Sequence, residues 1–165
     1  MEVEERPVTR DFRIRDGKLP QWEVPGRLYF ITASTHESFT QNLTREDLAG
    51  AVCSCIEHDD AIRYSLRAYV VMPNHVHVLL LPMLRDGGFV PLSEILQSLK
   101  GASAHKVNAL LGRSGPVWLR DTHTRAVRSE RERKSKWRYI MRNPVRAGLC
   151  VGSEDWPWLW PRPEQ

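Results

Sequence analysis

Val70-Val71-Met72-Pro73-Asn74-His75-Val76-His77-Val78-Leu79-Leu80 reads as two β-rich runs meeting at a short polar link. Pro73-Asn74 is the kind of connection that joins neighbouring antiparallel strands, so residues 63–72 and 75–81 are expected to form a hairpin. Side chains alternate between the faces of a strand, which sends His75 and His77 one way and Val76 and Val78 the other. Two imidazoles on one face suit two ligands on one cation. They equally suit two polar residues on the wet face of a sheet, so a partner elsewhere in the chain has to decide between the two.

The candidate partner is Arg138-Tyr139-Ile140-Met141-Arg142-Asn143-Pro144. Tyr139 and Asn143 are four residues apart and share one face of what reads as the last turns of a helix. Pro144 disfavours helical geometry at Asn143 and brings no amide hydrogen, so the helix is expected to stop at or just beyond Asn143. Taken singly, Tyr139 reads as packing against Trp137 or Ile140, and Asn143 as a helix cap. They place a phenol and an amide oxygen near a helix end, and beside the histidine pair the packing and capping reading becomes the weaker one.

Outward from these two segments, residues 27–35 alternate as a first strand, and Thr44-Arg45-Glu46-Asp47 opens a helix to about His58 with Thr44 as its cap. Helical apolar spacing runs from Leu92 to Leu111 and stops at Gly112. Val117-Trp118-Leu119 reads as a short strand, and residues 129–143 as a basic helix capped by Ser129. The order βαββαβα predicts an α+β fold: a ferredoxin-like antiparallel sheet (βαββαβ) with helices on one face and an added C-terminal helix carrying Tyr139. Residues 1–26, rich in charge and proline, read as an N-terminal arm with little regular structure. Residues 27–150 read as a single domain and 151–165 as a Trp/Pro-rich tail laid over the core.

A chain of 165 residues that is 41% hydrophobic suits one domain with a real core. No apolar run reaches the roughly 18 residues of a membrane span and no signal-peptide core is present, so a soluble, cytoplasmic protein is expected. Cys53, Cys55 and Cys150 form no Cys-x-x-Cys pair and read as packing residues. The formal charge of +4 is unevenly spread: residues 100–148 carry 13 Lys or Arg against Asp121, Glu130 and Glu132, a net of +10, which leaves −6 on the remainder. A polyanion is expected to prefer the C-terminal half, and an imbalance of this size favours nucleic acid over a merely solvated helix face.

Five segments in order complete the picture: Gly26-Arg27-Leu28-Tyr29-Phe30-Ile31-Thr32, Ala68-Tyr69-Val70-Val71-Met72-Pro73-Asn74-His75-Val76-His77, Leu96-Gln97-Ser98-Leu99-Lys100-Gly101, Gly112-Arg113-Ser114-Gly115-Pro116-Val117-Trp118, and Tyr139-Ile140-Met141-Arg142-Asn143-Pro144-Val145-Arg146-Ala147-Gly148-Leu149. With these the chain resembles the single-tyrosine HUH transposases, and within them the REP-associated tyrosine transposases. The resemblance implies a DNA strand transferase acting on single-stranded or hairpin DNA from repetitive extragenic palindromes. It implies Tyr139 as nucleophile, a Mg²⁺ or Mn²⁺ ion held by His75, His77 and Asn143, and a 5′-phosphotyrosine intermediate. Arg120, Arg125, Arg128, Arg138, Arg142 and Arg146 are the expected DNA contacts, because they lie in the basic segment around that tyrosine. Trp118 and Trp137 are candidates for stacking on bases or for the core. After Val117-Trp118 the chain departs from the family's aromatic-rich strand, reading Leu119-Arg120-Asp121-Thr122-His123, and His123 stays outside the expected catalytic set.

The chemistry follows from the groups. A tyrosine hydroxyl, with an ordinary pKa of about 10, needs an activated electrophile, which a divalent cation supplies by polarising a phosphate. Imidazoles by themselves suit Mn²⁺, Co²⁺ or Zn²⁺ better than Mg²⁺. Other readings remain open at this level: a hairpin-binding module that has lost cleavage, a rolling-circle initiator or relaxase, and a structural zinc protein. Monomer and homodimer are both open as well.

Overall fold

Alternation along the histidine-bearing strand is carried through a whole sheet. The computed structural model describes residues 12–14 and 24–161. In chain order the elements are β1 (Phe12–Ile14), β2 (Leu28–Ser34), α1 (Glu46–His58), β3 (Tyr64–Met72), β4 (His75–Pro82), β5 (Leu84–Arg85), β6 (Gly88–Phe89), α2 (Leu92–Leu111), β7 (Thr122–Val127), α3 (Glu130–Arg146), a 3₁₀ turn (Ser153–Asp155) and β8 (Leu159–Trp160). Six strands form one sheet in the order β1-β7-β2-β4-β3-β8, and β5 and β6 make a separate small hairpin. The inner order β7-β2-β4-β3, built from β2-α1-β3-β4-α2-β7, is the expected ferredoxin-like arrangement, antiparallel throughout. No helix among the described residues is long and apolar enough to cross a membrane.

Both faces of the sheet are covered. On one, Tyr29, Ile31, Val71, Val76, Val78 and Leu80 pack with Leu48, Val52 and Ile56 of α1 and Ile95 and Leu99 of α2. On the other, Phe30, Val70, Met72 and Leu79 meet Ile140 and Met141 of α3 in a second, smaller core. The C-terminal segment completes that second core. Leu159 is buried in it, the Ser153 hydroxyl donates to the Met141 carbonyl, and the Trp156 indole N–H donates to the Val71 carbonyl. Trp160 stacks on Tyr69 where β8 pairs with β3. The tail is therefore an edge strand and a clamp on α3.

Four local expectations are corrected. Phe12–Ile14, inside the stretch read as an arm, pairs with β7 as a strand, while residues 1–11 and 15–23 lie outside the described residues. Thr44 does not cap α1: the cap position is Arg45, and the Thr44 hydroxyl donates to Asn42 Oδ1. Val117-Trp118-Leu119 makes only an isolated bridge, Thr35 to Trp118, and the sheet strand is Thr122–Val127. Trp118 is 5% exposed and donates to the Ser103 hydroxyl, so the core takes it and it is not a base-stacking surface. Finally, α3 runs through Pro144 to Arg146. A proline removes one helical hydrogen bond and strains one turn, and burial of Ile140, Met141 and Pro144 offsets this until Gly148, with φ of +70°, turns the chain away.

Because α3 buries few apolar side chains, Ile140→Ala is expected to lower unfolding free energy by about 2–5 kcal/mol and to remove hydrogen-exchange protection from α3 before the central strands. Urea titration with exchange mass spectrometry checks this; uniform loss of protection across the sheet would mean that α3 has no separate docking equilibrium.

Candidate active site

The register of β4 with its neighbours builds the site. His75 lies opposite Ser34 on β2 and Met72 on β3, and His77 lies opposite Thr32 and Val70. Their rings sit 4.7 Å apart between centroids, on the face covered by α3. Phe30, two residues before Thr32 on the same face, stacks on His77 at 5.2 Å. The last two turns of α3 bring the Tyr139 ring to 5.3 Å from His77 and 5.9 Å from Phe30, edge-on to both. The sheet and the helix, far apart in sequence, thus deliver two imidazoles and a phenol to one place.

Hydrogen bonds decide which ring nitrogens keep a free lone pair. Asn74 Oδ1 is 2.7 Å from His75 Nδ1 and can only accept, so Nδ1 carries the proton and Nε2 its lone pair. His77 Nδ1 is 2.8 Å from the Thr32 hydroxyl, while its Nε2 is buried with no hydrogen-bond partner. A buried N–H without an acceptor is the costlier arrangement, which favours Nδ1–H donating to Thr32 and a free lone pair on Nε2. Burial holds the His75 pKa below the ordinary imidazole value. His77, 5% exposed, is pushed down to about 3, first by burial and then by the nearby His75, Lys136 and His123 charges. Both imidazoles are neutral at neutral pH, with Nδ1 engaged and Nε2 available, which is the state a divalent cation requires of its ligands.

The residue set fits such a cation from one side only. No cluster of three or more His, Cys, Asp or Glu occurs among the described residues, so further donors have to be amide, hydroxyl, water or substrate oxygens. Asn143, 9% exposed, stands one turn beyond Tyr139 on α3.

The expected DNA contacts separate into groups. Arg138, Arg142 and Arg146 line a cleft of about 460 Å³ with Ser135 and Tyr139, and the Arg146 guanidinium lies 5.3 Å above the Tyr139 ring. Arg120 lines a second cleft of about 690 Å³ with Thr32, Ser34, His36 and His123, beside the imidazoles. Arg128 is exposed at the start of α3. Arg125 is held by Glu132 at 2.7 Å, and Glu132 also accepts the Arg128 backbone N–H, so this arginine ties β7 to α3.

Sequence reasoning missed Thr32, Phe30 and Lys136. The Lys136 ammonium sits 4.6 Å over the Phe30 ring, extending the same cluster. Forty-five residues separate Thr32 from His77, and the pairing register of β2 with β4 is the signal that brings them together. The same register sets His123 of β7 opposite Thr32, in line with His77.

Comparison with known proteins bears on the fold. A REP-associated tyrosine transposase, solved bound to a REP hairpin, superposes with a TM-score of 0.67 at 22% identity, over 86% of this chain and 81% of that one. A candidate transposase from Deinococcus radiodurans R1 superposes with a TM-score of 0.50 at 23% identity, over 74% of this chain and 95% of that one. No family model and no curated protein matches the sequence. The chain shares the fold of these transposases.

Burial of His77 has a consequence for stability. Unfolded, the imidazole takes up a proton near 6.5; folded, it resists protonation until about 3, so stability is present above this window and is lost as pH falls through it. Between about pH 7.5 and about pH 5, His77 removes about 2 kcal/mol. Urea unfolding in EDTA is expected to show wild type losing about that much more than His77→Leu; equal losses would show the ring to be solvated.

Proposed function

We propose that the protein is a metal-dependent DNA strand transferase that cleaves and rejoins single-stranded or hairpin DNA, through a covalent bond between Tyr139 and a 5′ phosphate. The observation that carries this reading is the Tyr139 ring beside His77, whose buried Nε2 lone pair has no protein partner. The shared fold with a transposase bound to a REP hairpin supports a palindromic DNA substrate. The net charge of +10 on residues 100–148 supports a polyanionic one.

In the proposed reaction the Tyr139 oxygen attacks the scissile phosphorus, the bond to the 3′ oxygen breaks, and the phenol proton is lost as the departing DNA end gains one. Attack by a 3′-OH on the phosphotyrosine reverses the step and rejoins strands, so the energy of the phosphodiester is conserved. A divalent cation, Mg²⁺ or Mn²⁺, held by His75 and His77 with Asn143 as a third donor, would polarise the phosphate and stabilise charge in the transition state. Thr32 and Asn74 fix the two rings through Nδ1 and leave each Nε2 lone pair free. Arg138 and Arg142 hold phosphates beside Tyr139, and Arg146 packs on its ring and limits its rotation.

The test uses 5′- and 3′-labelled palindromic hairpins with single-stranded flanks, incubated with Mn²⁺ or Mg²⁺. A denaturation-resistant adduct on the 5′-phosphate side is expected for wild type and absent for Tyr139→Phe. His75→Ala and His77→Ala are expected to lower the rate by about 100-fold or more. Metal titration of Asn143→Ala tests the third donor, with unchanged affinity removing it. Salt-sensitive hairpin binding with no adduct for any metal would identify a non-catalytic binding module instead.

A further inference from the structure

Trp137 is the most exposed of the described tryptophans. Trp118 is buried with its indole N–H bonded to Ser103, Trp156 donates to the Val71 carbonyl, Trp158 packs on the larger core and Trp160 stacks on Tyr69. Trp137 is 39% exposed, although it sits three and four residues before the buried Ile140 and Met141. Leaving that much of a large apolar ring in water forgoes part of its burial energy, and here its neighbours are cations. Arg133, Lys134 and Arg138 line a groove of about 250 Å³ with it.

This groove is distinct from the cleft at Tyr139 but joined to it. Two residues along a helix turn through about 200°, so Trp137 and Tyr139 look to opposite flanks of α3. Arg138 lies between them and lines both depressions. A single strand with a phosphate at Tyr139 can cross α3 over Arg138 and reach Trp137. The crossing is about the helix diameter of 10–12 Å, or about three nucleotides at the 3.4 Å rise of a stacked strand. Arg133 is held by Glu130 at 2.7 Å in an exposed ion pair, a weak contact that a phosphate can replace, and Lys134 and Arg138 add two further charges.

We propose that Trp137, with Lys134 and Arg138, is a stacking site for one unpaired nucleobase of the strand that flanks the cleaved phosphate. The occupant is an unpaired base because a Trp face in a cationic groove offers π-stacking and phosphate neutralisation without base-edge readout; a base held inside a duplex exposes no face to stack on. The site rests on the DNA reading above but not on cleavage, and gives this protein a way to prefer hairpins with single-stranded flanks over blunt ones.

The test compares a palindromic hairpin carrying a ten-nucleotide single-stranded flank, on either side, with the same hairpin blunt, in EDTA so that no strand is cut. Trp137→Leu is expected to lose about tenfold in affinity for one flanked hairpin and to bind the blunt hairpin as wild type does, and Trp137→Phe is expected to restore most of the loss. 2-Aminopurine moved along the flank is expected to be quenched at one position by wild type and Trp137→Phe and not by Trp137→Leu. Equal losses on flanked and blunt hairpins, no loss on either, or no quenched position would overturn the site. Adduct formation by wild type with Mn²⁺ on the same flanked hairpins reports on cleavage separately. Its absence with the stacking signature intact would sink the strand-transfer reading alone.

Discussion

Everything in this molecule depends on the central strand β4 being covered on both faces. It lies between β2 and β3, with α1 and α2 packed over one face and α3 over the other. Val76, Val78 and Leu80 enter the core beneath α1 and α2, while Leu79 enters the core beneath α3. His75 and His77 share the second face by the two-residue repeat of a strand. A one-residue slip of register would exchange the two sets, putting imidazoles among aliphatic side chains and valines at the site. The main core therefore polices the geometry of the site.

That constraint also explains the state of His77. An imidazole kept from water is stable there only when neutral, and each ring nitrogen that lacks a partner costs free energy. Thr32 satisfies one nitrogen, and the other stays unpaired beneath Tyr139. Phe30, stacked on the ring and carrying Lys136 over its own face, excludes water from that side. Such a locally unfavourable arrangement is consistent with the ligand role proposed for His77.

Helix α3 is the other half of the design and is held less firmly. Its N-terminal half is charged, bridged to β7 by Arg125 and Glu132 and capped by Ser129, whose hydroxyl accepts the Glu132 N–H. Its C-terminal half is fastened by Ile140 and Met141, by the Ser153 hydroxyl and by Trp156 and Leu159 from the C-terminal segment. The residues that present Tyr139 are thus fixed from behind by a segment that follows them in the chain. The solvent-facing side is left to Arg138, Arg142 and Arg146.

Much of this was legible locally. The hairpin at Pro73-Asn74, the limits of α2 at Leu92 and Gly112, the Ser129 cap and the shared face of His75 and His77 all follow from short-range rules of turn chemistry, capping and strand period, and the structure agrees with them. The strand Phe12–Ile14, the move of the last core strand from residues 117–119 to Thr122–Val127, and the helix continuing through Pro144 were not legible. Each is stabilised by partners distant in sequence. A polar run such as Thr122-His123-Thr124 becomes a strand because β2 offers an edge, and a helix tolerates proline because its buried side chains outweigh one lost bond. By itself, then, the sequence determined the periodicities, and so which residues share a face. Tertiary structure alone decided which faces meet, placing Thr32, Phe30 and Tyr139 around His77 and leaving Trp137 partly exposed, because contacts between remote segments depend on sheet register and helix docking, which no local pattern encodes.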